Sequence, residues 1–330
     1  MKKKIKDNIQ KSKVLVIGDL MLDKFTYGDV LRISPEAPVP VLHVNNEKYY
    51  LGGAGNVARN IASLLDNKNS DNIALIGVVG DDKSASMIRE SLAYHNISDE
   101  NIIVDKSRYT ITKTRIIASN QQIVRIDEED TRPFDKDISK QIEKVFLKNI
   151  DNYNTVIISD YAKGIITESF AKKIISVCNK KNIYVLVDPA IKHFSFYKKA
   201  TLMTPNLKEA IEGMDSKLLS YNFDRSAVYN LGKDIVKKLS LEKLIITLSA
   251  NGMGLFDKNI KEENYIIPTR AKEVFDVSGA GDTVISVLAM CMSIGFSFIE
   301  SAQISNIAAG IVVGKKGTST LTIDELMSEL

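Results

Sequence analysis

Cysteine, histidine, net charge and long apolar runs are all scarce in this chain of 330 residues. Its two cysteines, Cys178 and Cys291, stand far apart without metal-ligand spacing, which excludes a disulfide framework or zinc module and fits a reducing cytoplasm. Lysine and arginine number 44 against 41 acidic residues, so the charge balance implies no polyelectrolyte partner. No basic stripe with interleaved aromatics occurs either, and nucleic acid is excluded as the expected ligand. The longest apolar stretch, near Val284 to Phe296, falls short of the roughly 20 residues that span a bilayer. The start, Met1-Lys2-Lys3-Lys4-Ile5-Lys6, has the charge of a signal n-region, but no apolar segment follows before Val14 and it reads as a solvated tail. What is present is a chain 44% hydrophobic with ordinary glycine and proline, long enough to bury a large core.

Short Val/Ile-rich runs alternate with longer helical patterns. The expected strands are Val14 to Gly18, Ile73 to Val79, Thr155 to Ser159, Tyr184 to Val187, Leu202 to Thr204 and Leu244 to Leu248, an alternation that predicts an α/β, doubly wound parallel sheet. Most of these runs end in Gly, Asp, Asn or Ser, as at Gly18-Asp19, Ser159-Asp160, Asp188-Pro189 and Pro205-Asn206, and that sheet edge is where ligands bind in such folds. Two segments break the rhythm, about 24–50 and 109–127. Both read as β-strands of a small accessory sheet inserted into one domain spanning 1–330.

The run Asp276-Val277-Ser278-Gly279-Ala280-Gly281-Asp282-Thr283 leads into the apolar helical stretch Val284 to Ile294. A glycine-rich turn at a helix start leaves N–H groups unpaired and aligned with the positive end of the helix dipole, which suits a phosphate. A carboxylate in that first turn cannot hold a phosphate. It is placed to take a proton from an attacking hydroxyl while the amides neutralise the group in transfer.

This run resembles the second signature of the ribokinase-like (PfkB) sugar kinases. The resemblance implies a ribokinase-like sheet with helices on both faces and a small β-sheet lid over the sugar. It makes Asp282 the catalytic base, gives Gly279, Ala280 and Gly281 the anion-hole amides, and has Asp276 help organise the magnesium–phosphate region. Gly52-Gly53-Ala54-Gly55-Asn56-Val57-Ala58 resembles the first signature, with one residue fewer than usual between the glycine pair and Asn56. Its glycines let backbone approach a sugar, and Asn56 can donate to and accept from hydroxyls. A dinucleotide fingerprint would have to follow the first strand directly, and this segment does not. In Gly18-Asp19-Leu20-Met21-Leu22-Asp23, Asp23 matches the family aspartate that bonds sugar hydroxyls; Asp19 either assists or only caps.

Thr204-Pro205-Asn206-Leu207-Lys208-Glu209 has the form of a helix cap with a capping box. It is also similar to the family's N-x-x-E motif, which implies that Asn206, Lys208 and Glu209 lie by the nucleotide and that Mg²⁺ is held through ATP phosphates and water, with no direct protein ligand. Thr247-Leu248-Ser249-Ala250-Asn251-Gly252 resembles the strand-end loop along ATP, with Thr247, Ser249 and Gly252 as contacts. Asn306, in the helical stretch Ala302 to Val313, either approaches the adenine and ribose or closes a helix contact.

Gly28 to Val41, with Arg32-Ile33-Ser34-Pro35-Glu36-Ala37-Pro38, closely resembles the heptose 7-phosphate kinases of ADP-heptose and lipopolysaccharide-core biosynthesis. So do Thr110 to Arg115, Asn120 to Asp127 and Ser159-Asp160-Tyr161-Ala162-Lys163-Gly164. A substrate that already carries a phosphate needs cations away from the reacting hydroxyl. Arg115 and Lys163 are the favoured candidates; Arg32, Lys113 and Arg125 are weaker ones. The expected reaction is ATP-dependent phosphorylation of the anomeric O1 of D-glycero-β-D-manno-heptose 7-phosphate by a cytoplasmic homodimer paired through the lid. No His-x-Gly-His motif occurs among the three histidines, so adenylyl transfer is expected of a separate nucleotidyltransferase. The alternatives are a kinase of a fructose or tagatose phosphate, and a sugar- or nucleotide-binding sensor without catalysis.

Overall fold

A computed structural model describes residues 1–66, 70–119, 121–215, 223–262, 265–271, 273–315 and 317–330. Asn120, which opens one of the stretches compared above, lies outside them. Thirteen strands occur among the described residues: β1 (Val14–Gly18), β2 (Leu20–Ile33), β3 (Pro40–Gly53), β4 (Ile73–Val79), β5 (Ile102–Val104), β6 (Ile111–Ala118), β7 (Gln121–Glu128), β8 (Thr155–Ser159), β9 (Tyr184–Asp188), β10 (Leu202–Met203), β11 (Lys243–Thr247), β12 (Met253–Phe256) and β13 (Ile266–Ile267). The helices are α1 (Lys2–Asn8), α2 (Ala54–Leu64), α3 (Lys83–Tyr94), α4 (Lys136–Asn149), α5 (Glu168–Lys180), α6 (Leu207–Gly213), α7 (Arg225–Leu239), α8 (Ala280–Ser293), α9 (Phe298–Val313) and α10 (Ile323–Glu329).

Nine strands form the main sheet in the order β13-β12-β11-β10-β9-β8-β1-β4-β5, parallel except at the β11–β12 and β12–β13 pairs. Alternation along each strand divides the core between two faces. In β1, Val14 and Val16 pack into a layer with α2, α8 and α9 through Val57, Ile61, Leu288 and Ala302. Leu15 and Ile17 face the layer built from α4, α5 and α7, which contributes Phe146, Phe170 and Ile235. Burying the strands on both faces is why they read as continuous apolar runs. The fold is the expected doubly wound one; β5, β12 and β13 are the strands that the sequence pattern missed.

The winding reverses at β1, whose neighbours are β4 on one side and β8 on the other. At this switch point the carboxyl ends of β1, β8 and β9 present Asp19, Asp160 and Asp188. The second sheet, ordered β3-β2-β6-β7, springs from the same edge, because only Asp19 separates β2 from β1. It therefore begins nearer β1 than the expected Lys24, and β3 runs on to Gly53 and directly into α2. Within it β2 and β6 are parallel, with Asp23 opposite Lys113 and Phe25 opposite Arg115.

Candidate active site

Asp282 lies in the first turn of α8 with 7% of its surface exposed. Gly279 caps that helix in the left-handed region at φ 80°, where a Cβ would come within 2.9 Å of Asn56 Nδ2. Any other residue would be strained there and would push Asn56 aside. The Ala280 N–H donates to Val277 O at 3.2 Å and the Thr283 N–H to Gly279 O at 3.0 Å. The amides of Gly279, Gly281 and Asp282 are thus the ones this helix start leaves for an incoming anion, and beside Gly281 a Cβ would meet nothing within 4 Å. Of the three residues expected to supply the anion hole, Ala280 has its amide in the turn. Asp276 accepts from the Ser278 N–H at 2.9 Å, so it braces the same turn.

The Asp282 carboxylate is held from both sides. Asn56 Nδ2 donates to Oδ2 at 2.6 Å and the Tyr161 hydroxyl donates to Oδ1 at 3.2 Å. Burial pushes its pKa up to about 6; the Asn56 and Tyr161 hydrogen bonds and nearby Arg59 oppose the rise, and Asp23 adds to it. Helices α2 and α8 are stitched together next to it by Thr283 Oγ1 donating to Asn60 Oδ1 at 2.8 Å and Ser286 Oγ donating to Val57 O at 3.1 Å.

Asp23 faces the same space from β2. A Cβ on Gly52 would sit 2.4 Å from Asp23 Oδ2, so the absent side chain is what admits the carboxylate, while Gly53 caps α2. Arg115 forms an ion pair with Asp23 and lies over the Phe25 ring, 5.1 Å from its centroid. The residues expected to meet separate parts of the sugar phosphate therefore neutralise one another here. Lys163 pairs with Glu129 at 2.7 Å, Lys113 with Asp127 at 3.1 Å and Arg125 with Asp127 at 2.9 Å. Arg32 is exposed toward the far end of β2. The cations thus sit in a mixed-charge ribbon, and Asp127 and Glu129 are members that sequence reading did not include.

Asp19 is not a sugar group in this geometry. Its buried carboxylate accepts from the backbone N–H groups of Tyr161 at 2.9 Å, Lys163 at 3.1 Å and Ile165 at 3.4 Å, and so clamps the loop after β8. Burial first, then repulsion from Asp160, pushes its pKa up to about 6.

Asn206 caps α6 in a full capping box: its side chain accepts from the Glu209 N–H at 2.9 Å, and Glu209 Oε2 accepts from the Asn206 N–H at 2.8 Å. A bridge between Asn206 and Thr247 sets the ends of β10 and β11 side by side. Burial raises the Glu209 pKa, and burial with the charges of Asp282, Glu209 and Asp160 raises that of Asp188 well above the carboxylate range. Asp188 thus links Asp282 to the Asn206–Glu209 side electrostatically. Lys208 is exposed, 3.8 Å from Glu212. Ser249 and Gly252, both at positive φ, shape the turn after β11. Asn306 is 4% exposed and donates to Pro268 O at 2.7 Å, so in this structure it closes a helix–loop contact. It also borders a cavity of about 1370 Å³ with Pro268, Ala271 and Gly310, which does not reach Asp282.

A buried carboxylate thus stands at a helix start beside glycine amides, opposite a sheet-borne aspartate and next to a capped N-x-x-E turn. The model of the pfkB family carbohydrate kinases matches residues 11–325. The chain belongs to that family. As such it is a phosphotransferase with an alcohol group as acceptor, and its family implies the use of ATP. It is similar to the bifunctional protein HldE of Aliarcobacter butzleri, 42% identical over 96% of this chain, and to that of Campylobacter jejuni subsp. doylei, 43% identical over 97%. It spans 64% and 65% of the length of those two relatives. Among solved structures it resembles phosphofructokinase-2 from Escherichia coli in complex with substrates and products (TM-score 0.75, 19% identity, 96% of this chain and 97% of that one). It also resembles Arabidopsis thaliana ribokinase complexed with ribose and ATP (TM-score 0.72, 16% identity, 96% and 98%). At those identities the shared feature is the fold. Among the described residues no helix is long and apolar enough to cross a membrane.

Proposed function

We propose that this kinase transfers the γ-phosphoryl group of ATP to the anomeric O1 of D-glycero-β-D-manno-heptose 7-phosphate, giving the 1,7-bisphosphate on the way to ADP-heptose. The observation that carries the chemistry is the buried Asp282 carboxylate, held by Asn56 and Tyr161 at the amino end of α8. The sugar hydroxyl loses its proton to Asp282, its oxygen forms the new bond to phosphorus, and the bond to the β-phosphate breaks to release ADP. The Gly279, Gly281 and Asp282 amides stabilise the equatorial oxygens during transfer. Asp23, Gly52, Gly53 and Asn56 bind the sugar, while Arg115 and Lys163 turn from their carboxylate partners to its 7-phosphate. The substrate assignment is supported by the identity to HldE proteins and by the Gly28 to Val41 stretch.

Thr247, Ser249 and Gly252 line the nucleotide side, with Asn206, Lys208 and Glu209 at the phosphates. Glu209 and Asn206 offer hard oxygen donors, a donor set that fits Mg²⁺ met through phosphate and water. That ion supplies charge neutralisation of the phosphates. The second sheet exposes Leu31, Ile33, Val44, Val124 and Ile126, an apolar surface suited to a second copy of the chain. We assign the reaction to the cytoplasm, and adenylyl transfer to a separate catalytic unit.

ADP release measured with heptose 7-phosphate against fructose and tagatose phosphates tests the assignment. The heptose phosphate should give the highest kcat/KM; a faster hexose phosphate would transfer the assignment to that substrate, and binding without turnover would leave a sensor. Lys163→Met should raise KM for the phosphosugar roughly ten- to hundredfold, the loss of a charged hydrogen bond, with KM for ATP unchanged. Because the base must be ionised, kcat/KM should fall tenfold per pH unit below an apparent pKa of about 6 and level off above it.

A further inference from the structure

Tyr161 lies in a loop whose conformation is fixed from beneath by two buried carboxylates. Asp19 takes the N–H groups of Tyr161, Lys163 and Ile165, and Asp160 takes the Ala162 N–H at 2.7 Å with Ala162 at φ 55°. Asp160 is itself anchored by the Tyr197 hydroxyl and by His193 Nδ1 at 2.7 Å. Tyr161 keeps 37% of its surface accessible, while its hydroxyl bonds Asp282 and feels the charges of Asp188 and Asp23.

We propose that Tyr161 is a positioning residue for phosphoryl transfer: its hydroxyl fixes the Asp282 carboxylate in its ionised form and orientation, from the side opposite Asn56, so that one oxygen is presented to the acceptor hydroxyl. This inference rests on the reading of Asp282 as the base. The desolvation and the neighbouring carboxylates hold the phenol protonated, so it can only donate to Asp282. The groups facing Asp282 are Asp23 from β2, Arg59 and Asn56 from α2, and Asp188 from β9. Asp23 and Asp188 disfavour its charge, and Arg59 has its own pKa lowered by burial. Removing Tyr161's hydrogen bond therefore leaves Asn56 as the one neutral donor, among the described side chains, on that carboxylate.

The test is Tyr161→Phe, which keeps the ring and its packing. In kcat/KM against pH, the acidic limb should move up by about one unit, the size of one hydrogen bond to a charged group, so that the loss is largest at low pH and shrinks at high pH to the part due to orientation. An unmoved limb, or a loss equal at every pH, would overturn the proposal. A readout without turnover separates it from the substrate assignment: carboxyl ¹³C NMR of aspartate-labelled protein, with the Asp282 signal identified as the one missing in Asp282→Asn. That signal should titrate about one unit higher in Tyr161→Phe; identical titration would sink the inference whatever sugar the enzyme uses.

Discussion

Replacing Asp282 with asparagine should lower kcat by roughly 10²–10⁴-fold, the range over which a general base acts, while the protein stays folded and still binds an ATP analogue and the sugar phosphate. The side chain is isosteric, and its environment can accept an amide: Asn56 Nδ2 finds the new Oδ1, and the new Nδ2 donates to the Tyr161 oxygen. Removing a carboxylate whose pKa is raised mainly by burial also relieves a desolvation cost, so the melting temperature should hold or rise. Single-turnover rates with calorimetric binding check both halves. Near-normal turnover would refute the base assignment, and lost binding would mean that Asp282 holds ligand instead of activating it.

The setting of Asp282 was legible in the sequence because it is local: the glycines, the acidic residue and the helix start lie within eight consecutive residues. The switch-point edge was legible for a related reason, since buried parallel strands advertise themselves as Val/Ile runs and stop at Gly, Asp or Ser. What could not be read is what depends on strand register and chain return. The Asp23–Arg115 pair exists because β6 lies parallel beside β2 with Phe25 opposite Arg115, and nothing in either segment states that pairing. Asn306 was ambiguous because an asparagine amide suits an adenine or a backbone carbonyl equally well, and here it meets the Pro268 carbonyl. Tyr161 stood inside a quoted stretch with only Lys163 singled out; its reach to Asp282 depends on Asp19, 142 positions earlier, gathering the loop's N–H groups. The short strands β12 and β13 carry too few residues for period-two alternation to register.

Asp160→Ala should be among the most destabilising single changes in the chain. Its carboxylate is buried and accepts from the Ala162 N–H, the Tyr197 hydroxyl and His193, and the Tyr197 side chain is itself fully buried. Alanine leaves those donors without an acceptor at about 1–3 kcal/mol each, offset in part by relief of the repulsion that Asp160 exerts on Asp19. A net loss of about 3–5 kcal/mol corresponds to a fall of about 4–7 °C in Tm by calorimetry. Asp160→Asn, which keeps one acceptor oxygen, should recover about half of it. Because the same loop carries Tyr161, kcat at 25 °C should also drop in the alanine variant while it is still folded, with an acidic limb displaced in the direction expected for Tyr161→Phe. A destabilised variant with an unchanged pH profile would separate the two roles and leave Asp160 with the fold alone.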